Sequence, residues 1–335
     1  MTDSLHTITV IDAHVHAVPK AVEYLAEIMD ANNLIGVINL GVLESEGIPF
    51  EEGMRAFRKV LGERMVYFPA PDFGDVSPGF GERMADELER KVEAGAGGLK
   101  IFKNLGLHCR DTAGNLIPVD DPRLDPLWAR AGELGVPVLI HSSDVLAHFQ
   151  PLDENNEQRE ALTRFPDWHV YGDQFPGHDV LLEQRNRVIE RHPDTTFIGA
   201  HVGGYGENLA FVDAWLDRYP NFFVDTSASI VQLGRHPTEE VGAFFTRHQD
   251  RILFGSDIVL GTFADEDEGR PWEFKRIGYD YGLLRCFYET NDRQIRHPGY
   301  PVFGNWLVNG IGLPQEVLEK LYVGNAQRLI PALKQ

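Results

Sequence analysis

Cysteine is almost missing, with Cys109 and Cys286 the only two among 335 residues. Two thiols so far apart exclude a disulfide scaffold and the short-spaced cysteines of a structural zinc site, and they predict a reducing, cytoplasmic setting. Positive charge is also scarce. Lys and Arg number 31 against 51 Asp and Glu, a formal net charge of −20. A chain of that sign is a poor partner for nucleic acid phosphates or an anionic membrane, so neither is expected. No apolar run is long enough to span a bilayer. The opening "MTDSLHTITVIDAH" lacks the basic segment and apolar core of an export signal. Internal repeats and low-complexity linkers are absent too. What is left is one soluble globular domain over residues 1–335, acting on a small molecule.

Apolar runs of strand length alternate with longer helical patterns along the whole chain. The strands read "TITVIDAH", "LIGVINLG", "MVYFPAP", "GGLKIFK", "VPVLIH", "TTFIGAH", "NFFVDTS" and "RILFGSD", and "PQEVLEKLYVGNAQRLI" closes the chain as a helix. Eight such units predict an α/β fold, the (β/α)8 TIM barrel. Two connections are long, residues 142–176 after strand five and 258–313 after strand eight. Both leave the strand ends where such barrels build their sites. The second holds Trp272, Phe274, Tyr279, Tyr281, Phe287, Tyr288 and Trp306, aromatics expected in packing or in a subunit contact.

The stretch "IDAHVHAVPK" places His14 and His16 two residues apart in the first strand, on one face together with Asp12. Alone, a His-x-His pair is more often two exposed histidines than a site. Strand ends elsewhere change that weighting: Lys100 lies in strand four, His141 ends strand five, His201 ends strand six and Asp257 ends strand eight. Phe197, Gly199 and His201 should share a face, as should Leu253, Gly255 and Asp257, the glycines leaving room for a ligand. Nitrogen and carboxylate groups gathered at one rim point to a metal centre.

With "DAHVH", "LIHSSD", "GAHVGG", "FGSD" and "YVGNAQRLI" in this order, the chain resembles the amidohydrolase superfamily. It is most similar to the amidohydrolase-related branch, with its hydrolases, lactonases and decarboxylases such as aminocarboxymuconate semialdehyde decarboxylase. The resemblance implies that His14, His16, His141 and Asp257 hold one divalent metal, zinc or else manganese, with His201 beside the bound water or substrate. It also implies a homodimer. A divalent cation lowers the pKa of a bound water from about 15.7 toward 7. Asp257 would take the proton of that water and return it to the leaving group, while His201 stabilises the developing oxyanion.

Lys100 faces the barrel interior, where an unpaired ammonium is costly. It is expected to pair with a substrate carboxylate or with Asp225. The alternatives are a carboxylated lysine bridging a second metal, as the resemblance permits, and a side chain reaching solvent. Lys103, Asp144, Tyr205 and Arg235 are candidate substrate contacts, with Arg159, Trp168 and Glu289 behind them. Basic groups at the site of so acidic a chain suggest a carboxylated substrate. The leading expectation is a metal-dependent hydrolase of a C–O or C–N bond. A nonoxidative decarboxylase of an aromatic or unsaturated acid comes second, and a metal-binding barrel without catalysis third.

Overall fold

The computed structural model describes residues 8–261 and 270–334, with side chains omitted over 270–274. Among the described residues there are nine parallel strands: β1 (Val10–Ala17), β2 (Leu34–Leu40), β3 (Met65–Phe68), β4 (Leu99–Ile101), β5 (Val138–Ile140), β6 (Phe197–Gly199), β7 (Phe222–Asp225), β8 (Ile252–Leu253) and β9 (Ile258–Leu260). They form two sheets, ordered β3-β2-β1-β9 and β4-β5-β6-β7-β8. The barrel is thus not closed as one ladder. Isolated backbone hydrogen bonds cross the two seams: Gly97 donates to Tyr67 O and Lys100 to Pro69 O, while Ala13 donates to Phe254 O and Asp257 to His14 O.

Strands one to seven fall on the stretches read from the sequence, although β5 stops at Ile140 and β6 at Gly199, short of His141 and His201, and the eighth is broken. Asp257 has φ +65°, so the chain turns at the "FGSD" stretch; β8 keeps its place beside β7 and β9 moves beside β1. Helices separate the strands because their apolar residues recur at helical spacing. In Phe50–Leu61 the buried positions are Phe50, Gly53, Met54, Phe57 and Leu61. Inside the strands a compact cluster contains Ile11, Ala13, Ile38, Leu40, Phe68, Leu139, Ile198, Phe223 and Leu253, plugged from below by Ala326, Ile330 and Leu333 of the C-terminal segment.

The stretch 258–313, expected as a loop, contains β9 and a 20-residue helix, Arg270–Glu289. Pro271 near its start and Gly278 and Gly282 within it weaken the helical signal in the sequence. Tyr281, Phe287 and Tyr288 are core residues, Trp306 donates from Nε1 to Val231 O, and Tyr279 is exposed; the side chains of Trp272 and Phe274 lie outside the described residues. After β5 the connection folds into short helical turns and Arg159–Arg164. The two connections meet where Phe165, Trp168 and Phe303 stack and Gln158 donates to Phe303 O.

Candidate metal centre

The site begins with an irregular strand. The pairing of β1 with β2 shifts register between Asp12 and Val15, so the strict alternation of faces fails there. Asp12 turns outward and is no part of the ligand face. It accepts Tyr281 Oη–H at 2.6 Å and the backbone N–H groups of His14 and Ser256 at 3.0 Å each. Burial pushes its carboxyl up to about 6 in spite of these donors. His14 and His16 point to the interior rim.

Each of these rings is fixed through Nδ1. His14 Nδ1 lies 2.8 Å from Asp225 Oδ2, and His16 Nδ1 lies 2.8 Å from Leu40 O. A carboxylate and a carbonyl only accept hydrogen bonds, so both rings carry hydrogen on Nδ1 and keep a lone pair on Nε2. Both Nε2 atoms stand 3.5 Å from Asp257 Oδ1. His14, His16 and Asp257 are the one set of three ligand groups within 4.8 Å of one another found among the described residues. Two imidazole lone pairs and a carboxylate with buried outer partners are a donor set suited to a divalent cation with open positions.

Burial lowers His14 to about 4, with the Lys100 charge acting in the same sense, so the ring is neutral and able to ligate. Asp257 is held far below the usual carboxylate range; burial opposes this, but His14, His16 and His201 outweigh it. Lys100 is wholly buried, with Nζ 3.5 Å from His14 Nε2 and 5.1 Å from the Phe102 ring centre. Burial lowers it to about 8, against the pull of Asp225 and Asp257.

His201 arrives by a route that strand alternation does not provide. β6 stops at Gly199, and His201, Val202 and Gly203 follow with φ of +57°, +54° and +69°. This left-handed run turns the His201 ring inward, 5.3 Å from His14 and 4.4 Å from His141 between ring centres. Asp225 Oδ1 accepts the His201 N–H at 3.1 Å. Ser227 O and Oγ accept from Nδ1 at 2.9 and 3.0 Å, which leaves the Nε2 lone pair free. Arg185, buried between Trp215 and Phe222, donates to Gly203 O and holds the turn from behind.

His141 stands at the same rim but outside the three-ligand set. Its Nε2 lies 3.0 Å from Asp144 Oδ1, so it carries hydrogen there, and burial followed by His201 lowers the ring to about 3. Serving as a fourth ligand through Nε2 requires release from Asp144. Asp144 also binds Lys103 Nζ, so these two expected substrate contacts are paired with each other. Arg235 is engaged by Glu157, and Tyr205 packs on His178 and Phe211. Arg159 is exposed, Trp168 lies in the aromatic stack, and Glu289 accepts from Arg285 and Tyr322. The two glycines make room for the chain itself: a Cβ on Gly255 would stand 2.9 Å from His14 Cβ, and one on Gly199 would stand 2.7 Å from the Phe222 ring. Ser227 and Arg185 were not among the expected site residues. Ser227 could have been found by extending the strand-end rule to "NFFVDTS", whereas nothing local marks Arg185.

The α/β barrel thus carries two histidine nitrogens and a carboxylate at one rim, a set that could hold a metal ion. The chain belongs to the amidohydrolase family, whose model, described as Amidohydrolase, matches residues 69–332. The matched stretch includes Lys100, His141, His201 and Asp257; His14 and His16 precede it. No curated protein matches. Among solved structures, a putative amidohydrolase from Staphylococcus aureus is similar with a TM-score of 0.55 at 14% identity, covering 97% of this chain and 100% of its own. A dihydroxybenzoic acid decarboxylase from Polaromonas sp. JS666 with bound manganese has a TM-score of 0.52 at 16% identity, covering 98% of each chain. The Metarhizium anisopliae IDCase in apo form has a TM-score of 0.52 at 14% identity, covering 99% of each. At such identities the likeness is one of fold.

Proposed function

We propose that this chain is a metal-dependent hydrolase that cleaves a C–O or C–N bond in a small carboxylated molecule. The observation that carries the reading is the convergence of His14 Nε2, His16 Nε2 and Asp257 Oδ1 beside a buried Lys100. A divalent cation, zinc or manganese, supplies Lewis acidity and a water acidic enough to react near neutral pH. The protein's own groups do the rest. His14 and His16 offer lone pairs because their Nδ1 hydrogens are taken. Asp257, ionised throughout the neutral range, accepts the proton of the attacking water and delivers it to the leaving group. His201, with Nδ1 engaged by Ser227, stands beside the same space as the hydrogen-bonding group for the water or the developing oxyanion.

Charge supports an anionic substrate. With a dication held, formal charges of +2 and Lys100 +1 exceed those of the two carboxylates that face them, Asp225 and Asp257, −1 each, by one unit, Asp12 being turned away toward Tyr281. Lys103 and Asp144 cancel. A substrate carboxylate against Lys100 neutralises the excess where water is sparse, which makes the pairing worth more than at the surface. The same placement supports a second reading, nonoxidative decarboxylation, in which Asp257 takes a proton from water and passes it to the carbon as that carbon's bond to the departing carbon dioxide breaks.

The test is metal content per chain by elemental analysis on protein prepared without chelator, followed by assays of a panel of lactones, amides and carboxylic acids. One equivalent is expected in the wild type and in Lys100→Ala, and almost none in His14→Ala. Two equivalents that fall in Lys100→Ala would replace this reading with a lysine-bridged binuclear site. Hydrolytic acid release supports the hydrolase, carbon dioxide release the decarboxylase, and absence of metal under all loading conditions removes both.

A further inference from the structure

Asp225 closes β7 fully buried, and nothing in the chemistry above requires it to touch a substrate. Yet its two oxygens accept hydrogen bonds from His14, His201 and Ser227. Its Oδ2 accepts His14 Nδ1–H at 2.8 Å. Its Oδ1 accepts the backbone N–H of His201 at 3.1 Å, that of Ser227 at 3.0 Å, and the Ser227 hydroxyl. Two effects follow from one carboxylate. An acceptor at Oδ2 selects the Nδ1–H tautomer of His14, which aims a lone pair from Nε2 at the ligand space; the Lys100 ammonium, 3.5 Å from Nε2, demands the same tautomer. The acceptor at Oδ1 anchors the left-handed turn at His201 and Val202. Such non-glycine conformations are strained and persist only when their surroundings enforce them.

We propose that Asp225 is the positioning residue of this centre, tying the His14 ligand and the His201 turn to a single buried carboxylate so that metal affinity and the placement of His201 are set together. The proposal rests on the metal-dependent reading and deepens it.

Asp225→Asn tests it. With the amide oxygen in the Oδ1 position, His201 and Ser227 keep their acceptor. The amide NH2 then faces His14 Nδ1 at 2.8 Å and, against the more distant Lys100 ammonium at 3.5 Å from Nε2, favours hydrogen on Nε2. Nitrogen-15 histidine NMR on metal-free protein, with the His14 signals assigned by their loss in His14→Ala, is expected to show Nδ1–H in the wild type and Nε2–H in Asp225→Asn. Titration calorimetry with Mn2+ is expected to show affinity weakened by about 10- to 100-fold in Asp225→Asn. Ser227→Ala, which removes one Oδ1 donor and leaves Oδ2 untouched, should keep the His14 tautomer. An Nε2–H tautomer in the wild type overturns the proposal even if Asp225→Asn does not fold. Wild-type Mn2+ affinity in a folded Asp225→Asn overturns it as well. If the wild type binds neither Mn2+ nor Zn2+, the metal-dependent reading falls, and the tautomers of the two proteins still decide whether Asp225 orients His14.

Discussion

Asp12 shows how one side chain can serve a site it never enters. It joins three separate pieces of chain, the His14 backbone, the Ser256 turn and Tyr281 of the helix Arg270–Glu289, through hydrogen bonds of 2.6 to 3.0 Å. An unsatisfied buried donor costs about 1–3 kcal/mol. Asp12→Ala leaves three donors without their acceptor and should lower unfolding stability by about 3 kcal/mol or more in urea titrations. Tyr281→Phe removes one hydroxyl and should lose about 1 kcal/mol. Equal losses in the two variants would mean that the backbone donors find other partners. The sequence places Asp12 beside His14 and His16, and strand alternation put it on their face. The register shift in β1 separates them, and no residue type in "VIDAHVHA" announces it.

At the scale of elements, the ends of the strands matter more than their middles. β6 and β8 both stop short of their functional residues, and His201 and Asp257 are turned into the rim by positive φ. Gly199 permits this turn because its missing Cβ makes way for Phe222 and for the Gly203 backbone, 3.0 Å from where that atom would sit. Gly199→Ala should destabilise by about 1–3 kcal/mol through overpacking, read as a lowered midpoint in thermal unfolding. The helix Arg270–Glu289 contributes differently. Burial raises Asp280 from 3.8 to about 6 although Arg276 Nη1 lies 2.8 Å away. Between pH 4 and 6 the folded state keeps a proton that the unfolded chain has released, so stability falls as pH rises through that window. Asp280→Asn has no such dependence. It should match the wild type near pH 4 and exceed it above pH 6 by up to about 3 kcal/mol, at about 1.4 kcal/mol per pKa unit. A constant difference between the two proteins from pH 4 to 8 would count against this account.

Over the whole molecule, a metal bound at this rim would be thermodynamically linked to the fold. A cation that binds only the folded chain stabilises it by about 2.7 kcal/mol at a hundred times its dissociation constant. Mn2+ should therefore raise the unfolding midpoint of metal-free protein by a few degrees, and His16→Ala should lose the shift. A chain of net charge −20 also attracts divalent ions diffusely. A shift of equal size in His16→Ala would assign the stabilisation to that atmosphere. The sequence by itself determined the alternation of strands and helices, the inward side of Lys100 and the fall of His14, His16, His141, His201 and Asp257 near or just beyond strand ends. These depend on apolar periodicity and on the strand ends, which are local properties of the chain. Only the tertiary structure decided that strand eight breaks into β8 and β9, that Asp12 leaves the ligand face, that His141 is held by Asp144, and that Asp225 and Arg185 fix the His201 turn. Each of those depends on partners far apart in the chain, brought together by packing that no local pattern encodes, and on backbone angles that a strand reading assumes to be regular.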